Sequence, residues 1–339
     1  VENIRRKINY AFQRDLIKGE TDFKLRVDFP TQVEIPFETV VYNVDGTVSD
    51  AFWPDALNNI PLSGGPFDIR VTHKDIELKG PGKLGDADAD IHWHEYFETS
   101  GDDLEYDSKI VASVASTDEL RLKLGVGLED YISGILPVEV SYLSPPGQEA
   151  SAKVAGDLSD LSVFIDFLNF ERRPLETGSF ELLANFRDGE LQNISSLGIQ
   201  SEDLKVDSGN LAFIRKNNEN QLSAGTLTGV KVDKNIIRDL AFEITAEDVL
   251  KIKADGSFLD ARWFVAPPSF ETYEVSLASD TADNKQTKGQ ADEKEKAKIV
   301  SASFERMIMD PDHPLEAVKL YIQTDAQQNL TQLEMDAVA

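Results

Sequence analysis

Leu136-Pro137-Val138-Glu139-Val140-Ser141-Tyr142 opens the stretch that decides the fold, which runs over 136–214. Leu136, Val138, Val140 and Tyr142 fall on one side, and Pro137, Glu139 and Ser141 on the other. After the turn Glu176-Thr177-Gly178 the pattern returns at Phe180, Leu182, Ala184 and Phe186, and Asp188-Gly189 turns the chain again. Leu204, Val206 and Ser208 follow, and a turn at Asp207-Ser208-Gly209-Asn210 is expected to lead into Leu211 and Phe213. Alternation of period two, broken by Gly, Asn and Asp, predicts antiparallel strands with one apolar and one wet face. No catalytic motif lies in this stretch.

The same unit recurs on both sides of it. Phe23, Leu25, Val27 and Phe29 alternate with Lys24, Arg26 and Asp28, and Pro30 ends the run because it has no donor for the ladder. Val40, Tyr42 and Val44 lead to an expected turn at Asp45-Gly46, and 51–62 reads as a loop. Gly64-Gly65-Pro66 reads as a turn into Phe67, Ile69 and Val71. Ile76 and Leu78 then run to Gly80-Pro81-Gly82. Ala89, Ile91 and Trp93 make one further face, and Ile110, Ala112 and Val114 another. Downstream, Leu222, Ala224, Thr226, Thr228 and Val230 alternate, as do Leu240, Phe242 and Ile244, and Leu250, Ile252 and Ala254. Asp255-Gly256 is expected to turn into Phe258 and a strand at Trp263-Phe264-Val265.

Helical signals are few. Ile4, Ile8, Phe12 and Leu16 recur at four-residue steps, with Gly19 in a C-cap position, which predicts a short N-terminal helix over 2–18. A helical excursion is expected within 117–131, where Leu120, Leu124 and Leu128 are weakened by Gly125 and Gly127. The predicted organisation is a helical segment at 1–20, a β region over 21–278, a hydrophilic loop or linker at 279–298 and further strands over 299–339. The class is mainly β, a long antiparallel arrangement of sandwich, barrel or solenoid type, because the helical crossovers of a parallel α/β sheet are missing.

Composition narrows the partners. The chain has 339 residues, 41% of them hydrophobic, and a formal net charge of −27 from 61 acidic against 34 basic side chains. Such a surface repels nucleic-acid phosphates. It also keeps strand edges soluble. There is no cysteine, which removes disulfides, thiolate catalysis and zinc–thiolate sites. No apolar run approaches the roughly 20 residues of a membrane helix. The chain begins at Val1 and reads as a piece of a longer protein.

The chemical candidates are thin. His92 and His94 flank Trp93 on a predicted strand and share its solvent side, and two histidines at this spacing need a third ligand to hold zinc. Asp86, Asp88 and Asp90 lack the glycine and glutamate positions of a calcium loop. No nucleophile elbow, phosphate loop or dinucleotide fingerprint is present, and Gly125-Val126-Gly127 lacks a third glycine. The expectation is therefore no enzyme, no metal and no cofactor. What remains is the apolar face itself, with Val138, Val140, Leu182, Val206, Phe213, Leu222, Val230, Phe242 and Ile252 as expected lining residues. The alternative is a structural or adhesive β-sandwich or solenoid in which that face is fully closed.

Four segments resemble the AsmA-like superfamily of Gram-negative envelope proteins, and within it the large YhdP-type members. Gly64-Gly65-Pro66-Phe67-Asp68-Ile69-Arg70-Val71 with Ile76-Glu77-Leu78-Lys79-Gly80-Pro81-Gly82 is similar to a family hairpin. Ile91-His92-Trp93-His94-Glu95-Tyr96-Phe97 is similar to its tryptophan-bearing strand. Gly134-Ile135-Leu136-Pro137-Val138-Glu139-Val140 resembles its strand start, and Asn169-Phe170-Glu171-Arg172-Arg173-Pro174 with Gly178 its connector. The likeness covers 7–264. It implies a long sheet curled into a taco-like groove with an apolar lining. It also implies a parent anchored in the inner membrane, a body in the periplasm, and phospholipid passing between inner and outer membranes with its acyl chains in the groove. No catalytic residues carry over, and this chain is expected to lack the family's anchor and C-terminal region.

Overall fold

A computed structural model of the protein describes residues 18–30, 40–57, 59–97, 104–124, 131–165, 170–216, 219–262, 296–310, 312–327 and 329–338. The expected helix over 2–18, the strand at Trp263 and nearly all of the hydrophilic loop at 279–298 lie outside these residues. Strand accounts for 76% and helix for 3% of the described chain, so the mainly β class holds. The chain divides into two compact units, the first comprising 1–165 and 171–222, the second 166–170 and 223–339. The expected β region 21–278 runs across both.

Unit 1 begins with β1 (Lys18–Asp28), β2 (Val41–Leu57), β3 (Ile60–Gly64), β4 (Phe67–Thr72), β5 (Asp75–Leu84), β6 (Ala87–Tyr96) and β7 (Ser108–Ser116). Helix α1 (Asp118–Lys123) and β8 (Ile132–Gly134) interrupt the meander before β9 (Leu136–Ser144) and β10 (Ala150–Asp157). A second excursion through β11 (Leu161–Ile165) and β12 (Phe170–Arg172) precedes β13 (Gly178–Arg187), β14 (Glu190–Ser201) and β15 (Leu204–Lys216). The strands pair antiparallel in the order β1-β2-β4-β5-β6-β7-β9-β10-β13-β14-β15. β3 prolongs β4 along the far halves of β2 and β5, so Gly64-Gly65-Pro66 is a bulge in one long strand and not a turn.

Unit 2 holds β16 (Glu219–Val232) from Ser223 onward, β17 (Asn235–Ile244), β18 (Leu250–Asp260), β19 (Lys298–Ile308), β20 (Leu315–Thr324) and β21 (Leu330–Val338). Its pairs are antiparallel except one. β18 and β19 run parallel from Leu250 opposite Lys298 to Asp260 opposite Ile308, which corrects the expectation of an antiparallel arrangement throughout. A parallel pair needs a long return connection, and 261–297 supplies its length.

Several expected turns are strand interiors. Asp45-Gly46 lies inside β2, Gly80-Pro81-Gly82 inside β5, Asp207 to Asn210 inside β15 and Asp255-Gly256 inside β18, while the expected loop 51–62 is a hairpin of β2 and β3. Gly19, expected to cap a helix, sits in β1. At Gly46, Gly82 and Gly256 the reason is aromatic cover. Gly46 pairs with Phe23, Gly156 with Phe180 and Gly256 with Phe304, and a Cβ at each glycine would overlap the partner's ring. Glycine inside a strand marks close approach as readily as a turn.

One end of the unit 1 sheet is closed by the expected helical excursion, shortened to α1. Thr117 caps it, its hydroxyl accepting from the Leu120 amide at 3.1 Å, with Asp118 and Glu119 in the first turn. This seats Leu120 on Ile60, Ala87, Ala89, Ala112 and Val114, and both Leu120 and Ile60 are 1% exposed. Arg121 donates to the Ser116 carbonyl at 2.8 Å and the Gly134 carbonyl at 2.9 Å, tying α1 to the strands on either side. β12, β11 and β8 form a small separate sheet.

Candidate functional site

Register turns the alternation of unit 1 into a continuous surface. Phe23, Gly46, Ile69, Leu78, Trp93, Ile110, Tyr142, Ala152, Ala184, Ile194 and Leu211 are successive cross-strand partners from β1 to β15. Partners directly opposite one another point to the same face, so a single apolar line crosses every strand of the sheet. A second line runs Gly80, Ile91, Ala112, Val140, Val154, Leu182. A third runs Gly82, Ala89, Val114, Val138, Gly156, Phe180, Ile199, Val206. None of the three carries a charge. Trp53 and Trp93 approach to 6.2 Å between ring centroids although two strands separate β2 from β6, so the sheet of unit 1 curls.

The other face is polar in the same registers. Lys24, Asp45, Arg70, Glu77, His94 and Lys109 form one of its lines. His92 Nε2 lies 2.8 Å from Glu77 Oε1; His94 has its Nε2 3.2 Å from Asp75 Oδ2 and its Nδ1 2.7 Å from the Tyr106 hydroxyl. Both histidines are thus engaged with single carboxylates or phenol, and among the described residues no group of His, Cys, Asp or Glu is arranged to hold a metal. Burial alone would raise the Asp75 carboxyl. Hydrogen bonds from Thr72 and His94 and the charges of His94 and Arg70 outweigh it and hold the group below its ordinary 3.8. A depressed folded-state value means stability that is complete above the unfolded carboxylate range and is lost as pH falls through the folded one. Asp75→Asn is therefore expected to lower the urea midpoint at pH 7, with the gap to the parent protein closing below about pH 3.8. An equal gap at pH 7 and pH 3 would contradict the assignment.

Unit 2 repeats the two-faced pattern. Leu227, Leu240, Ala254, Ala302, Leu320 and Met335 are successive partners, as are Gly225, Phe242, Ile252, Val300, Ile322 and Leu333. Thr228, Asp239, Asp255, Ser303, Lys319 and Asp336 face the other way.

The expected lining residues divide accordingly. Val138, Val140 and Leu182 lie half-buried in the apolar lines of unit 1. Phe213 shares the parity of Leu211, two residues before it, and is half-buried. Phe242 and Ile252 pair with each other in unit 2. Val206 is on the apolar face but is 6% exposed beside Ile199, and Val230 is as deeply buried opposite Ile237. These two are packed core, inaccessible to a ligand without repacking. Leu222 is a correction. It shares the strand parity of Ala224 and Thr226, whose partner Glu243 belongs to a polar line, and it is 38% exposed. In strand β16 the inward positions switch across Gly229, at φ +61°, from Gly225 and Leu227 to Val230 and Val232 while the register against β17 is kept, so the alternation that joined Leu222 to Val230 does not describe one face. Ile91, Trp93, Ile110 and Ile194 belong to the lines but were not among the expected lining; the alternation pointed to the first three, and not to Ile194.

No helix among the described residues is long and apolar enough to cross a membrane. Compared with protein-family models, with curated proteins and with solved structures, the chain finds no match.

Proposed function

We propose that the apolar face of unit 1 is a slot for acyl chains, and that the protein is a section of a periplasmic, inner-membrane-anchored, AsmA-like assembly that carries phospholipid between inner and outer membranes. The observation that carries this reading is the uninterrupted apolar line from Phe23 to Leu211. Its central members Trp93, Ile110 and Tyr142 are half-buried, whereas a face closed by a second sheet buries such residues fully. Strands about 4.8 Å apart give the line a breadth of roughly 48 Å. A tail spanning half of a hydrocarbon core about 30 Å thick needs only ~15 Å. Several tails therefore fit side by side, which suits passage better than capture of one molecule. Each methylene removed from water contributes about 0.8 kcal/mol without any polar anchor. A lining without charges in its three lines offers no point at which a tail would stall.

The test is site-specific photo-crosslinking in cells with a benzophenone amino acid at Val140 and Leu182, which lie in the second apolar line. Lys153, on the opposite side of β10, serves as the control. Lipid captured at Val140 and Leu182 but not at Lys153 is the expected result. Equal capture at all three, or none, would refute the slot.

A further inference from the structure

The apolar face of unit 1 has one polar border. Beyond the first line, the register runs Val71, Ile76, Glu95, Ser108, Ser144. These residues share the side of Trp93 and Tyr142, because each is two residues from a member of the apolar line. The Trp93 indole N–H points to this border, 3.4 Å from the Ser108 hydroxyl. The Tyr142 phenol is held above its ordinary value by burial first, against a hydrogen bond with Ser144 that lowers it, with the negative charge of Glu95 adding to the rise. At the other end of the same strands the face is shut by Leu120 on Ala87, Ala89 and Val114.

We propose that Glu95, Ser108, Ser144 and Tyr142 form a head-group subsite for an amphiphile bearing a protonated amine, its tail lying along the strands toward the closed end. The proposal rests on the acyl-chain reading of the face. From Glu95 to Ala89 on β6 the rise is about 20 Å, long enough for one tail. A carboxylate at the mouth repels an anionic head and attracts an ammonium. The Trp93 and Tyr142 rings add π-faces on which a cation is favoured. Hydroxyls of Ser108 and Ser144 accept from its N–H groups. The net charge of −27 biases the approach in the same direction.

The experiment uses the full chain and two single-tailed probes with the same acyl group, lysophosphatidylethanolamine and lysophosphatidylglycerol, titrated at pH 7 by tryptophan fluorescence. The amine-bearing probe is expected to bind about tenfold more tightly, the scale of one partly desolvated ion pair. Glu95→Gln should remove that preference while leaving the affinity for the glycerol probe unchanged or slightly raised. N-acetylating the amine of the first probe should remove the preference on the parent protein, which keeps the test independent of whether the variant folds. Equal binding of both probes by the parent protein would overturn the head-group subsite and leave the slot standing. Binding of neither probe would overturn the slot and the subsite together.

Discussion

Phe67→Ala is expected to destabilise unit 1 by about 3–5 kcal/mol, the usual cost of emptying a buried aromatic site. Phe67 is 1% exposed and stands at the bulge that joins β3 to β4. Its ring is boxed by glycines. A Cβ on Gly82 would come within 2.5 Å of its Cζ and 2.7 Å of the Ser63 carbonyl, and a Cβ on Gly80 within 3.1 Å of the Phe67 Cα and 2.5 Å of the Pro66 carbonyl. The space that these glycines leave is filled by the ring, so the site cannot collapse without moving β5. Gly82→Ala should be costly for the converse reason, since the backbone carbonyl cannot move aside. The two changes touch the same volume, so their effects should not add: in the Phe67→Ala background Gly82→Ala should cost at least about 1 kcal/mol less than alone. Urea denaturation of the four proteins measures both quantities. A Phe67→Ala loss below about 1 kcal/mol, or strict additivity of the pair, would remove the ring–glycine box from the account of this fold.

That box also explains which parts of the fold were legible. Strands such as β9 and β13 were readable because their alternation is unbroken and a true turn residue pair, Asp188-Gly189, follows β13. Glycine then misled, because one residue type serves two needs. Gly189, at φ +79° with open space around it, supplies a backbone conformation. Gly46, Gly156 and Gly256 supply absence of a side chain beneath a phenylalanine that is distant in sequence. Only the register tells the two apart. The face of Leu222 failed for a related reason: the inward positions of β16 switch at Gly229, whose φ is +61°, and one glycine in the sequence does not say that it turns the strand over. The parallel pairing of β18 and β19 left no local signal, since alternation is the same for either direction. Of the candidate site, the existence of an apolar face was readable, but its continuity was not, because continuity is a property of which residue stands opposite which. The border at Glu95 is likewise invisible until the line Val71 to Ser144 is assembled.

Strands β1 and β21, each paired on one side among the described residues, carry a further consequence of the two-faced design. β1 exposes Phe23, Leu25 and Val27 on the apolar side, with Leu25 67% exposed, and alternates them with Asp22, Lys24, Arg26 and Asp28. β21 does likewise with Leu333 and Met335 against Gln332, Glu334 and Asp336. A strand with an exposed apolar side is kept from unspecific pairing by charged or polar side chains at every second position. Charge on one face of these strands is thus compatible with the other face being almost without it.

Arg172→Ala is expected to destabilise unit 1 by about 3–5 kcal/mol, as does removal of one partner from other buried charged networks. Arg172 is 1% exposed at the end of β12. Its Nη1 donates to the Leu158 carbonyl at 2.7 Å and the Leu161 carbonyl at 2.9 Å, its Nη2 donates to the Glu176 carbonyl, and the Glu176 carboxylate lies 3.7 Å from its Nε. One planar cation thus gathers three carbonyls from the connection that leaves β10 and returns at β13. Gly178 is tight against it, since a Cβ there would stand 3.2 Å from the guanidinium. Without the guanidinium the Leu158 carbonyl keeps only the Leu161 amide as donor, and the Leu161 carbonyl loses the donor that Arg172 supplies, at about 1–3 kcal/mol for a buried group left unsatisfied. Arg172→Lys should recover only part of the loss, because an ammonium cannot span diverging carbonyls as a fork does. Amide exchange localises the effect. Leu158, Leu161 and Leu175 donate within this connection, to Gly178, Leu158 and Ser159, and should lose protection first, while amides of β6 and β7 keep theirs. A loss below about 1 kcal/mol, or uniform deprotection of the whole sheet, would show that Arg172 is not what holds the connection. The expected outcome assigns the aromatic, basic, proline and glycine segment a purely architectural role: it closes the return from β10 to β13, so that Val154 and Leu182 stand opposite one another in the apolar line.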